Sequence, residues 1–367
     1  MTADSKEART ELARVRPGED LDWDTLAAYL RRELPELGGE FSVLQFPRGS
    51  ANLTYQVRFG DTRLVVRRPP FGQLAPGAHD MAREYKVLSR LYQRYPRAPR
   101  ALLHCPDPAV IGAEFLVSEY RSGIVVWDEI PESMRQVAGP GRRIGLAVID
   151  ALADLHEVDP DAVGLSDLGR PDGYLERQVR GWRKRWAAVE AEAVDAEGNG
   201  DGTAVLVREL GERLAATMPR TLRSGIVHND YKVDNCQFAE GDPDRVVSVF
   251  DWDMATLGDP LVDLGTLLNY WPDHTVDPDS DAAFTAVPGM LGLGLPSRAE
   301  VVERYASRSG ADMSRIAWYE AFGCWKTAVI LQQLYARWVR GESTDPRMAE
   351  RGPAVAPLTR RALDLLR

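Results

Sequence analysis

Three side chains and the distances between them hold the chemical content of this sequence. His228-Asn229-Asp230-Tyr231-Lys232-Val233-Asp234-Asn235 reads H-x-D-x-x-x-x-N, and Asp251 follows sixteen residues after Asn235, at the end of the apolar run Val246 to Phe250. Phosphoryl transfer from a nucleoside triphosphate calls for this division of labour. One carboxylate, Asp230, orients an incoming hydroxyl and accepts its proton. An amide oxygen on Asn235 and a second carboxylate on Asp251 hold the Mg²⁺ that bridges the phosphates. Lys232, two residues past the base, is placed to stabilise charge on the transferring group. His228 reads as a packing and hydrogen-bonding residue that shapes the loop, and Asp263, after Gly258-Asp259-Pro260, as an anchor for the loop backbone. Asp234 and Asp253 either sit near the ion or face water, and they stay outside the catalytic set.

Such residues need a scaffold that brings separate turns together. The first twenty residues are polar, and Asp20 or Asp22 caps a short helical pattern through Leu26, Leu30 and Leu34. The runs FSVLQF, LTYQVRF and TRLVV between Phe41 and Val66 alternate in the manner of three antiparallel strands. A helix follows from Asp80 to Leu91, then a strand at Phe115-Leu116-Val117, and a hinge near residues 120 to 124. Beyond the hinge the periodicity is mostly helical: Ile144 to His156, Tyr174 to Val189, Val205 to Met218, Pro260 to Tyr270, Val301 to Ala306, Ile316 to Val339, and Leu358 to Leu366. The acidic stretch from Ala191 to Thr203 suits a solvated loop or a fraying helix end. This pattern predicts an α+β chain with a tail over residues 1–20, a small β-rich lobe over 21–121 and a larger α-helical lobe over 122–367 that carries the catalytic loop, metal site and acceptor site.

The two motifs, His228 to Asn235 and Phe250-Asp251-Trp252-Asp253-Met254-Ala255-Thr256-Leu257-Gly258-Asp259-Pro260-Leu261-Val262-Asp263-Leu264, resemble the catalytic and metal motifs of the aminoglycoside phosphotransferase/choline kinase family. The resemblance runs from about Phe41 to the last helices. Ser50-Ala51-Asn52-Leu53-Thr54-Tyr55, Val66-Arg67-Arg68-Pro69-Pro70 and His79 to Tyr85 resemble the branch of that family found fused to acyl-CoA dehydrogenases. The resemblance implies a bilobal protein-kinase-like fold and the cofactors ATP and Mg²⁺, with GTP not excluded. It also implies a set of nucleotide contacts in the small lobe. Gly49, Ser50 and Asn52 lie in a loop between strands where backbone N–H groups approach phosphates. Related kinases use a lysine on the third strand, but no lysine occurs between Lys6 and Lys86, so Arg67 takes that position, paired with Glu84 on the following helix. Arg68 points to the opposite face by strand alternation. Glu119 and Tyr120 sit in the hinge whose backbone meets the adenine edge.

Composition narrows the alternatives. Forty-five basic against 55 acidic residues give a net charge of −10, the wrong sign for a nucleic-acid or anionic-membrane partner. The charged start MTADSKEARTELAR and the lack of any long apolar window predict a cytoplasmic chain without a membrane segment. Cys105, Cys236 and Cys324 are far apart and read as buried thiols. Asp251-Trp252-Asp253 replaces the D-F-G of protein kinases and no A-P-E follows, which argues against a protein substrate. The expected partner is a small acceptor with a free hydroxyl, either a metabolite or an aminoglycoside-like compound. Two alternatives stay open: a nucleotide-binding scaffold without turnover, motivated by the missing lysine, and a kinase acting on a hydroxyacyl-CoA. Asp273, Asp277, Asp279 and Asp281 read as a solvated loop more readily than as a cation site, and Trp318, Tyr319, Phe322 and Trp325 as core more readily than as an aromatic cage. The sequence carries no signature of oligomeric state.

Overall fold

Helix α1 (Trp23–Glu33) begins where the Asp22 carboxylate accepts a hydrogen bond from Thr25 N at 2.9 Å, so the second of the two candidate caps is used. In this computed structural model residues 12–47, 52–71, 80–193, 201–272, 290–343 and 345–367 are described. Strands β1 (Phe41–Gln45), β2 (Leu53–Phe59) and β3 (Thr62–Arg68) form the antiparallel meander expected from their alternation, with Val57 opposite Leu64 and Tyr55 opposite Val66. Two further strands complete a five-stranded sheet in the order β1-β2-β3-β5-β4: β4 (Ala101–Cys105) and β5 (Phe115–Glu119). Leu26 and Leu30 of α1 pack with Val57, Val66, Phe115 and Val117 to give this sheet its own apolar core.

Helix α2 (Met81–Leu91) is capped by Asp80, which accepts from Arg83 N at 2.8 Å. Its apolar stripe, Met81, Val87, Leu88 and Leu91, joins a core that extends through α3 (Pro140–His156) into the helical half. Polar contacts fasten the same seam. Arg83 donates to the carbonyls of Leu168 (3.3 Å) and Ala255 (3.1 Å), Lys86 pairs with Asp167 at 2.8 Å, and the Val249 amide donates to the Arg97 carbonyl at 2.8 Å. The helix that carries Glu84 is therefore seated on both halves.

Past β5 the chain makes β6 (Ile124–Val125), which pairs with β8 (Cys236–Phe238), itself paired with β9 (Val246–Val249). A second small ribbon joins β7 (Gly225–Val227) to β10 (Thr256–Gly258). These ribbons flank the loops that hold Asp230 and Asp251. Around them pack α4 (Tyr174–Ala187), α5 (Asp201–Ala216), α6 (Leu261–Tyr270), α7 (Arg298–Ser309), α8 (Ile316–Val339) and α9 (Val355–Leu365). Helix α5 starts earlier than its periodicity predicts. Its first turn takes in the end of the acidic stretch, with Thr203 buried there, so that end is helical, while residues 194–200 of the stretch lie outside the described residues. Trp318, Tyr319, Phe322 and Trp325 lie buried in the core of α4, α5, α8 and α9, with Trp318 stacked on Phe322 at 5.6 Å. All three cysteines are buried free thiols. Among the described residues no helix is long and apolar enough to cross a membrane.

Candidate active site

Strand β7 delivers the catalytic motif onto a loop whose backbone is fixed by buried side chains. Asp263 on α6 is fully buried and accepts from the amides of His228 (2.6 Å) and Asn229 (2.7 Å), the anchoring role its place in the sequence suggests. His156 of α3 steadies that carboxylate from behind, with Nε2 at 3.2 Å from Asp263 and Nδ1 at 2.6 Å from the Tyr305 hydroxyl. The His228 ring lies between Tyr231 and Trp252, and its Nε2 donates to the Phe250 carbonyl at 2.7 Å. A carbonyl accepts only, so Nε2 carries the hydrogen and Nδ1 is free to accept from the Asp230 amide at 3.3 Å. Burial lowers the His228 pKa against the pull of Asp263 and Asp230, which keeps the ring neutral in this role. His228 thus ties the loop of Asp230 to the strand end that carries Asp251.

Asn235 closes the loop from its other side. Its amide nitrogen donates to the Asp230 carbonyl at 2.8 Å and approaches Asp230 Oδ2 at 3.4 Å, and its backbone carbonyl accepts from the Phe250 amide at 2.9 Å. Lys232 Nζ stands 3.2 Å from Asp230 Oδ2 and 3.8 Å from Asp234 Oδ2, over the Tyr270 ring. Burial alone would lower its pKa, but Asp230 and Asp234 outweigh it and hold the ammonium charged.

The opposite wall comes from the sheet. The Arg67 guanidinium bonds Glu84 Oε1 through Nη1 at 2.6 Å and Asp251 Oδ1 through Nη2, with Asp253 Oδ2 3.9 Å away. Its fork therefore spans a helix carboxylate and the strand-end carboxylate at once, which a lysine's single nitrogen cannot do with this geometry. Burial opposes the Arg67 charge, yet Asp251, Glu84 and Asp253 together raise its pKa. Burial also raises Asp251, but Arg67 and Lys232 win and hold that carboxyl below the usual range. Glu84, deeper and closer to other acids, is pushed up to about 7, first by burial and against the pull of Arg67. Arg68 turns away, as alternation requires, and donates to the Ile111 carbonyl at 2.8 Å.

These walls enclose a cavity of about 440 Å³ lined by Asn52, Arg67, Glu84, Glu119, Tyr120, Asp230, Lys232, Asn235 and Asp251. Every described residue of the expected site is therefore brought to one place, whereas Gly49 and Ser50, like Asp273, Asp277, Asp279 and Asp281, lie outside the described residues. At the hinge the Glu119 carboxylate accepts from the Arg100 amide at 2.7 Å and from Arg121 Nε at 2.8 Å, and its own amide donates to the Arg100 carbonyl at 3.0 Å. Tyr120 lies under the Arg63 guanidinium, 4.4 Å from ring centroid to carbon.

The structure gives definite surroundings to three residues outside the expected set, Asp253, Asn229 and Lys326. Asp253 does not face water: it accepts from Asn52 Nδ2 at 3.3 Å, and burial with Asp251 pushes its carboxyl up to about 6. Asn229 and Asp251 are the described non-glycine residues with left-handed backbone, φ 66° and 68°, a conformation that marks strained, functional turns. Lys326 of α8 is buried and donates to the Asn229 carbonyl. A lysine inside an otherwise apolar helical run was the available signal for the last.

Among the described residues no cluster of three or more His, Cys, Asp or Glu side chains can hold a metal alone. A divalent ion here would rest on Asn235 and Asp251 together with ligand oxygens. The donors are all oxygens, as a hard cation requires, and Asp234 Oδ1 nearby is a buried acceptor with no hydrogen-bond partner. The residues present therefore fit magnesium.

The model of the phosphotransferase enzyme family matches residues 42–319. The chain belongs to that family. It is a phosphotransferase, with the motif residues above inside the matched span. It is 31% identical to acyl-CoA dehydrogenase family member 11 of Gallus gallus over 362 residues, which are 96% of this chain and 44% of that protein. The chain thus spans less than half the length of that relative. A solved Ralstonia eutropha protein described as a candidate aminoglycoside phosphotransferase is 28% identical, with a TM-score of 0.75 over 95% of this chain and 98% of that one. A third protein, an aminoglycoside phosphotransferase solved with AMP-PNP and hygromycin B, is 15% identical with a TM-score of 0.56, over 93% of this chain and 98% of that one, a likeness of fold. The fold is kinase-like, α+β, as the sequence predicts.

Proposed function

We propose that this phosphotransferase moves the γ-phosphate of ATP to a hydroxyl of a small metabolite in a magnesium-dependent reaction. The observation that carries the reading is the convergence of Asp230, Lys232, Asn235, Asp251 and Arg67 on one cavity. Asp230 orients the acceptor hydroxyl and takes its proton as the oxygen attacks the γ-phosphorus, whose bond to the β–γ bridging oxygen breaks so that ADP leaves with that electron pair. Lys232 and Arg67 place positive charge where the phosphates carry negative charge, and Glu84 fixes the direction of the Arg67 fork. A magnesium ion held by Asn235 and Asp251 would offset the charge of the bridging phosphate oxygens. Asn52 and the hinge at Glu119 and Tyr120 close the nucleotide end. AMP-PNP in the ternary complex of the fold neighbour supports nucleotide use here by analogy. A cytoplasmic setting and a small-molecule partner belong to the same proposal.

The acceptor class has two candidates. An aminoglycoside-like compound is supported by the fold neighbours, and a hydroxyacyl-CoA by the acyl-CoA dehydrogenase names of the relatives. Purified chain incubated with γ-labelled ATP and a metabolite extract should phosphorylate at least one hydroxyl compound, identified by mass spectrometry. Asp230→Asn should lower that transfer by about two to four orders of magnitude while still binding nucleotide. Nucleotide binding without transfer to any acceptor favours the scaffold reading, and turnover indifferent to Asp230→Asn contradicts the assignment of the base.

A further inference from the structure

Lys326 is one of five lysines in the chain, and it sits where a charge is expensive. It is 4% exposed, on a helix whose neighbouring positions Trp325, Ala328 and Val329 are core. Burial pushes the Lys326 pKa down, against the pull of Asp230 and Asp263, so the nitrogen depends on a hydrogen-bond partner to offset its desolvation. Its partner is not a carboxylate in contact but the backbone carbonyl of Asn229, one residue before Asp230.

Asn229 is held at every polar group it has. Its amide donates to Asp263 of α6 (2.7 Å), its side-chain oxygen accepts from the Tyr174 hydroxyl of α4 (2.7 Å), and its side-chain nitrogen donates to the Met254 carbonyl (2.9 Å). Lys326 of α8 supplies the fourth contact. The peptide unit that leads into Asp230 is thus gripped at both ends: its oxygen by Lys326, and its nitrogen by His228 Nδ1 at 3.3 Å. That unit leaves a left-handed residue, and a non-glycine residue relaxes out of this region when its restraints are removed. Rotation of this one plane swings the Cα–Cβ bond of Asp230, and with it the carboxylate.

We propose that Lys326 is a positioning residue of the phosphotransfer site, an N–H donor that clamps the Asn229–Asp230 peptide plane so that the Asp230 carboxylate keeps its aim at the acceptor hydroxyl. The inference rests on reading Asp230 as the base. It assigns a function to helix α8 that reaches the reaction through the backbone alone. A displacement of about 1 Å at such a group costs on the order of 100-fold in rate.

The test uses the full chain and two probes that need no known acceptor: hydrolysis of Mg-ATP followed by phosphate release, with water as acceptor, and AMP-PNP binding by calorimetry. Lys326→Met keeps much of the length of the side chain and removes its N–H donors. It strands the Asn229 carbonyl but relieves the desolvation of a buried amine, so the two effects on stability oppose one another. The expected result is a kcat at least about 30-fold lower, with KM for ATP, AMP-PNP affinity and thermal midpoint close to wild type, and recovery of most of the rate in Lys326→Arg. Unchanged kcat in Lys326→Met overturns the proposal. So does a fall in kcat that tracks a fall in thermal midpoint and is not rescued by arginine, which is the signature of a merely structural lysine. Wild-type turnover, by hydrolysis or by transfer to an acceptor in a metabolite extract, that Asp230→Asn fails to lower, or the absence of both, overturns the functional reading beneath it, an outcome distinct from either.

Discussion

The two walls of the cavity are built on opposite principles. On the side of Asp230 the reactive loop is held at its uncharged backbone groups by buried residues, Asp263 on two amides and Lys326 on a carbonyl, with the Tyr174 hydroxyl and the Met254 carbonyl on the Asn229 side chain. On the side of Arg67 the side chains meet mainly through charge, one guanidinium spread over Glu84, Asp251 and, farther off, Asp253. On the proposed function the first arrangement would fix the base. The second could exchange partners, with Asp251 and Arg67 turning toward phosphates and metal when a nucleotide enters. Internal anchoring suits the base, and an adjustable ion cluster suits the charged ligand.

This contrast can be broken in three places. The largest effect belongs to Asp263→Asn. An amide in place of the carboxylate can accept through one oxygen only, which leaves one buried amide of the loop unpaired and strips His156 of a charged partner. Urea denaturation should show a loss of about 3 kcal/mol, together with loss of phosphoryl transfer. A stable variant with normal turnover would mean that the loop holds itself.

Glu84→Gln should give a smaller, pH-dependent effect. The Glu84 carboxyl is raised from an ordinary 4.5 to about 7, so protonation favours the folded state. The stability it contributes is complete below pH 4.5 and is lost as pH rises through 7. The glutamine side chain cannot ionise, and the deficit of the variant relative to wild type should therefore shrink between about pH 5 and pH 8, by roughly 2–3 kcal/mol. Denaturation at the two pH values measures it, and a deficit that grows with pH would show that Arg67 dominates over burial. Smallest is Arg67→Lys. One nitrogen reaches Glu84 or Asp251 but not both, so the nucleotide-free chain should lose about 1 kcal/mol and AMP-PNP affinity should change by less than about tenfold. A change beyond a hundredfold would make this cluster as rigid as the loop across from it.

What the sequence made legible follows the range of the contacts. The helices and the first three strands were readable because their apolar periodicity is local and long. Strands β6, β7 and β10 were not, being two or three residues each and defined by partners more than 20 residues away. The catalytic motif was legible because its residues are spaced along one loop, and the Arg67–Glu84 pair because strand and helix are adjacent in sequence. The bridge from Arg67 to Asp251 spans 184 residues, and the clamp from Lys326 to Asn229 spans 97. Neither leaves a local pattern. Asp253 stayed undecided for the same reason: its partner Asn52 lies in the other half of the chain.

The central claim is that Asn235 and Asp251 serve one divalent ion beside the base. Calorimetric titration of AMP-PNP into the chain, with and without magnesium, tests it in wild type, Asn235→Ala and Asp251→Asn. The account predicts tight binding of one nucleotide in wild type only when magnesium is present, and loss of the magnesium dependence in both variants. Binding that is indifferent to magnesium in wild type, or that keeps its full magnesium dependence in either variant, contradicts it.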